Sequence, residues 1–169
     1  MALRSNHYDL AFESYLRRAC RPYVAVDEAK RAVLADRTLK SLDFIVYSDR
    51  GRNLLVDVKG RKFPSGISGS GARWENWATA DDRDSLLKWQ DVFGDEFRAA
   101  LVFAYEITSP QWRDQHEQLW EFRQRAYSFY VVWADDYAQD MRTRSASWET
   151  VSVPLRDFTR LRHPISEVL

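Results

Sequence analysis

The sequence predicts an α/β domain, and three observations carry that expectation. Strand-like runs rich in Val, Ile, Leu, Phe and Tyr recur at 42–48, 53–59, 98–107 and 128–134. Stretches with helical spacing lie between or beside them, and no apolar run approaches the roughly 20 residues that cross a bilayer. At 169 residues and 45% apolar content the chain suits a single domain, 1–169, with a sizeable core, and no composition break marks an interdomain linker.

Taken in order, Ser5 or Asn6 can cap a first helix in which Tyr8, Phe12, Tyr15, Leu16 and Ala19 recur at helical spacing. Asp9 and Glu13 sit together on one border of that stripe, where a side chain can bend toward a sheet or remain solvated. The runs 42–48 and 53–59 flank Asp49-Arg50-Gly51, a turn with glycine where positive φ is needed, and read as a hairpin. With those three residues as the loop, Ser48 faces Arg52. The same register sets Asp43 directly opposite Asp57, with Cβ atoms roughly 4.5–5.5 Å apart. Lys59 shares the Asp57 face, because residues i and i+2 of a strand point the same way.

Two carboxylates so close repel unless a cation joins them. A hard divalent cation, Mg²⁺ or Mn²⁺, resolves the conflict: Mg²⁺ takes one or two carboxylates and keeps several waters for substrate phosphate to displace. Such a metal supplies hydroxide and neutralises charge at phosphorus, while Lys59 can orient water or stabilise the transition state. The competing reading is a solvated hairpin whose charges only keep it soluble.

Composition changes after this strand. Residues 60–82 hold four of the six glycines, Pro64 and three serines, and predict a long, mobile loop. Arg61, Lys62, Arg73, Trp74 and Trp77 in it suit a nucleic-acid strand, by phosphate contact and base stacking, or the tryptophans pack back on the domain. A helix over 84–93, capped by Asp82 or Asp84 and stopped by Gly94, turns Leu86, Leu87 and Phe93 inward with Gln90 among them. That amide needs a partner, either a buried backbone group or the site. A buried strand over 98–107 follows. Ser109-Pro110 then opens a helix carrying Trp112, His116, Leu119, Trp120 and Phe122. A strand over 128–134, a helix near 135–142, a strand near 150–153 and a helix over 154–161 complete the chain. Arg142, Arg144, Arg156, Arg160 and Arg162 form a second basic concentration there.

The segments AFESYLRRACRPYVAVDEAKR and SLDFIVYSDRGRNLLVDVKGRKF resemble the PD-(D/E)XK, or restriction-endonuclease-like, nuclease superfamily, and within it the Holliday-junction-resolvase-like branch. The resemblance covers roughly residues 7–103. It implies a central mixed β-sheet flanked by helices on both faces, with Glu13 as the helix acid, Asp43 as the first strand acid, and Asp57 with Lys59 as the acid-x-lysine pair. Glu13, Asp43 and Asp57 would then be the metal ligands and Lys59 the base or electrostatic stabiliser. Gln90 resembles the glutamine that several branches carry on the following helix, and Arg61 the further basic residue. Ser41-Leu42 precede Asp43 where relatives often have proline or glycine-glutamate. The resemblance also implies a Mg²⁺-dependent endonuclease acting on DNA in repair, recombination or restriction, and a homodimer. The alternative is a non-catalytic module of the same fold that binds nucleic acid or protein.

Charge and cysteine content narrow the partners. The net charge is zero, which argues against bulk electrostatic coating of DNA. Residues 50–62 nevertheless hold five Lys or Arg against one Asp, and residues 75–96 seven acids against two bases. Such separation permits a basic working face opposite an acidic back, or folding intermixes the two regions. One cysteine, Cys20, no signal peptide and no membrane span predict a cytoplasmic, disulfide-free protein. His7, His116 and His163 are scattered, and no zinc or serine-nucleophile pattern is present.

Overall fold

The computed structural model describes residues 6–27, 32–34, 37–65 and 74–169. Helix α1 (His7–Arg18) opens it, followed by strands β1 (Tyr23–Ala25), β2 (Ala32–Leu34), β3 (Arg37–Leu39), β4 (Phe44–Val46), β5 (Asn53–Phe63) and β6 (Ala78–Thr79). Helix α2 (Ala80–Phe93), β7 (Phe97–Ile107), a 3-10 turn (Pro110–Gln115), β8 (Trp120–Phe122), β9 (Arg125–Trp133) and α3 (Ala134–Asp140) come next. β10 (Arg142–Ser145), β11 (Thr150–Ser152), α4 (Leu155–Leu161), β12 (His163–Pro164) and α5 (Ile165–Val168) finish the chain.

The main sheet runs β1-β4-β5-β7-β9-β12, with β8 paired to β9. β5 and β7 are parallel over eleven residues, from Asn53↔Phe97 to Phe63↔Ile107, and α2 makes the crossover between them. The other pairs are antiparallel. Alternation then sorts the strands' side chains. Leu54, Val56, Val58, Ala100, Val102 and Ala104 pack with Ala11, Phe12, Tyr15 and Leu16 of α1. Leu55, Ala99, Leu101, Phe103 and Tyr105 pack with Leu86 of α2, Tyr137 of α3 and Phe158 of α4. Full burial of Phe12 or Leu16 contributes about 1.5–3 kcal/mol each. The α/β fold with a mixed sheet covered by helices on both faces is therefore present.

Three expectations change. β5 continues to Phe63 because β7 supplies a hydrogen-bonded partner at every step, and α2 begins at Ala80 rather than 84, so the segment outside strand and helix shrinks to 64–77. Of that, 66–73 lies outside the described residues, Arg73 included, and with it the expectation of a mobile loop there. The helix expected after Pro110 stops at Gln115, and Trp120–Phe122 instead pairs with β9. Its hairpin turn places Arg123 and Gln124 at φ 48° and 61°, positions where sequence reasoning looks for glycine or asparagine. Among the described residues no helix is long and apolar enough to cross a membrane.

Candidate active site

β4 and β5 pair through Phe44↔Val56, Ile45↔Leu55 and Val46↔Leu54. One step further, the Asp43 amide donates to the Val56 carbonyl at 2.9 Å, and the Val58 amide donates to Asp43 Oδ2 at 2.6 Å. The register therefore carries Asp43 opposite Asp57, and a carboxylate replaces the ladder partner at Val58. There β4 departs, while β5 runs on against β7 alone. At this fork lies a cleft of about 260 Å³ lined by Asp9, Lys40, Asp43, Asp57, Lys59 and Asp82.

Lys59 is the hub of the cleft's charges. Its Nζ lies 2.8 Å from Asp57 Oδ1 and 2.9 Å from Asp82 Oδ2. Asp82 Oδ1 in turn sits 2.7 Å from Lys40 Nζ, which also reaches Thr79 Oγ1 at 3.3 Å. Asp82 is fixed by its place in the chain: the Thr79 hydroxyl accepts from the Asp82 amide, and the Asp82 carboxylate accepts from the Thr79 amide, a reciprocal cap of α2. Lys40 is tied to α2 as well, through its amide to Ser85 Oγ and its carbonyl from Trp89 Nε1.

These contacts divide the protons. Burial pushes the Asp57 carboxyl above its ordinary range, against the pull of Lys59 and with the push of Asp82. Burial alone would discharge Lys59, but Asp57 and Asp82 outweigh it and hold its pKa above the usual lysine value. For Asp82, burial is overcome by Lys59, Lys40 and the Thr79 amide, which together hold it well below the carboxylate range.

Of the residues named from sequence, Asp43, Asp57 and Lys59 meet in the cleft, and Glu13 and Gln90 do not. Glu13 accepts hydrogen bonds from Tyr23 Oη of β1 at 2.8 Å and from Arg17 at 3.0 Å, away from the cleft. Asp9, one turn earlier and 2% exposed, lines the cleft instead. The reason is the approach of α1 to the sheet: a Cβ at Gly60 would come within 2.1 Å of the Tyr8 ring, so the helix start rests on β5 immediately beyond Lys59. Gln90 Oε1 accepts from the Ala99 amide at 2.7 Å, fastening α2 to β7. Lys40 and Asp82 were not singled out as site residues from sequence. The spacing Thr79-x-x-Asp82 is the signal that could have found the latter.

The basic and aromatic group divides. Trp74 packs into the core, with ring centroids 4.5 Å from Phe63, 5.0 Å from Tyr105 and 5.4 Å from Tyr130, and Arg162 lies over it at 3.7 Å. Trp77 is half-buried, with the Arg61 guanidinium 4.0 Å and that of Arg144 5.4 Å from its ring. Arg61 also donates to the Gly60 and Trp77 carbonyls. Lys62 is exposed on β5.

Among the described residues no three His, Cys, Asp or Glu side chains already stand as a metal-holding group. The donor chemistry of Asp43 and Asp57 is nonetheless that of a hard cation's site: two carboxylates, one of them buried and charge-disfavoured, in a cleft with room for water.

No family model matches the chain, and no curated protein matches its sequence. Among solved structures it is similar to Hjc, a Holliday junction resolvase from the archaeal hyperthermophile Archaeoglobus fulgidus, with a TM-score of 0.55 and 14% identity over 95% of this chain and 96% of that one. At that identity the likeness speaks to architecture, and it establishes that the chain has the restriction-endonuclease-like α/β fold.

Proposed function

We propose that the protein is a metal-dependent nuclease that hydrolyses DNA phosphodiester bonds in the cleft between β4 and β5. The observation that carries this reading is the convergence of Asp43, Asp57 and Lys59, with Asp9, in one cleft at the point where the two strands part. The fold shared with a Holliday junction resolvase supports DNA as the substrate and recombination as the setting.

Asp43 and Asp57 would hold Mg²⁺ or Mn²⁺, and Asp9 takes the place expected of Glu13. A bound metal supplies Lewis acidity toward the phosphate and lowers the pKa of water. The chain's own residues do the rest. Asp57 and Asp82 keep Lys59 protonated, so its ammonium is ready to meet negative charge developing on the phosphate oxygens. The Val58 amide orients the Asp43 carboxylate. Lys40 neutralises Asp82, leaving Lys59 shared between two acids of which only Asp57 belongs to the cation site.

The test incubates purified protein with labelled linear, single-stranded and four-way DNA in Mg²⁺ or Mn²⁺, beside Asp57→Ala and Lys59→Ala. Both substitutions are expected to lower cleavage by about 10²- to 10⁴-fold. Cleavage that persists unchanged in both sinks the assignment. A second reading, a non-catalytic module of the same fold, is favoured by Lys59 being engaged by two acids at once. Absence of cleavage on every substrate, with binding retained, selects it.

A further inference from the structure

β10 and β11 form a hairpin that joins β6 in a small three-stranded sheet. Its connection carries Trp148, which is 79% exposed, more than any other large apolar side chain among the described residues. Arg142 and Arg144 are exposed on β10, and Arg144 leans over Trp77. Between the hairpin and the 74–77 segment runs a groove of about 250 Å³ lined by Trp77, Asn76, Arg144, Ser152 and the exposed Leu155. Glu75 pairs with Arg144 at 3.7 Å at its edge.

This groove adjoins the catalytic cleft through the backbone. Thr150 of the hairpin pairs with Thr79, whose hydroxyl caps α2 and contacts Lys40. On the other side, Arg61 follows Lys59 by two residues on one face of β5 and holds the Trp77 carbonyl. Arg144, Trp77 and Arg61 thus form a connected series that leads along β5 to Lys59 and the cleft, and Trp148 lies on the same hairpin as Arg144.

An exposed indole on the same hairpin as two exposed arginines suits a ligand that offers aromatic faces and phosphates together. Duplex DNA hides its base faces in the stack, whereas an unpaired strand presents them. With zero net charge over the whole chain, attraction to phosphate has to be local, and this basic hairpin is a place where it is.

We propose that the hairpin and groove bind an unpaired stretch of DNA, with bases stacking on Trp148 and Trp77 and Arg142 and Arg144 meeting the phosphates. The inference rests on the nuclease reading of the cleft and narrows its substrate to DNA with an unpaired segment beside the scissile bond, as at a flap, gap or branch.

The experiment measures fluorescence anisotropy of a labelled single strand, a flap and a blunt duplex with the full chain in EDTA, where no cleavage occurs. Wild type is expected to prefer the single strand and flap. Trp148→Ala and Arg144→Ala each weaken those two by about tenfold, the effect of one lost stack or contact, while changing the blunt duplex less than about twofold. Circular dichroism checks that both variants fold, and Trp148 is exposed enough for its removal to leave packing intact. Equal binding of duplex and single strand, no binding of either, or parallel losses on all three overturns the proposal. Because binding is read without metal, loss of catalysis with hairpin-dependent binding intact refutes the nuclease reading alone.

Discussion

Asp9 and Glu13 stand one turn apart on the same border of α1, yet only the first reaches the cleft. On a helical wheel they differ by about 40°, too little to separate them, but they differ by about 6 Å along the axis. Depth decided the matter, and depth depends on where the sheet lies, which no periodicity reveals. Asp57 and Lys59 were legible because strand alternation is a local rule, and Asp43 because turn length sets register. Lys40 was not, since it acts through a cap formed by residues about forty positions later. Asp9→Asn is expected to reduce the proposed nuclease activity at least about tenfold, whereas Glu13→Gln, which removes the charge but keeps an oxygen to accept from Arg17 and Tyr23, leaves it within about twofold. Equal losses in the two variants, measured as kcat with melting temperature monitored, would return Glu13 to the site.

β5 is the element on which most of the molecule depends. It supplies two cleft residues, one core face to α1 and another to α2, and a parallel partner to β7. Gly60 is a point of close approach between this strand and α1. Gly60→Ala would drive a methyl into the Tyr8 ring, and overpacking of this kind costs about 1–3 kcal/mol. Urea unfolding is expected to register that cost, and Tyr8→Ala in the same chain to recover part of it, because the substitution removes the ring that is struck. Additive losses in the double variant would mean that the helix does not rest on the strand there. The sequence signal at 60 was glycine within a supposed loop, whereas the glycine serves a packed contact inside a strand. The aromatic segment 112–122 misled for a related reason: spacing that fits a helix also fits a 3-10 turn followed by a strand recruited to the edge of β9.

For the whole molecule, the α/β class was readable from alternating patterns and the helices on both faces were implied by the family resemblance, whereas of the small second sheet only β11, expected near 150–153, was legible. Its strands are two to four residues long and carry no period of their own. Stability of the assembled domain is tied to His116, which is buried among aromatic rings. Burial, and then the charge of Arg162, brings its pKa down to about 4. The unfolded chain takes up that proton near pH 6.5 and the folded chain only near 4, so stability is expected to fall as pH drops through that interval, by roughly 1–2 kcal/mol after solvent screening. Urea midpoints at pH 7 and 4.5 measure it. His116→Phe should flatten the difference, and an unchanged slope in that variant would assign the acid sensitivity elsewhere. The eleven-residue ladder between β5 and β7 has a further consequence, for a chain emerging during synthesis. Until residue 107 has appeared, β5 lacks its parallel partner, and Leu54, Leu55, Val56 and Val58 form a sticky edge beside a half-built cleft. A fragment ending at Glu96 is accordingly expected to aggregate on expression where the full chain does not, and a monomeric, folded fragment in sedimentation would show that the first half holds itself together.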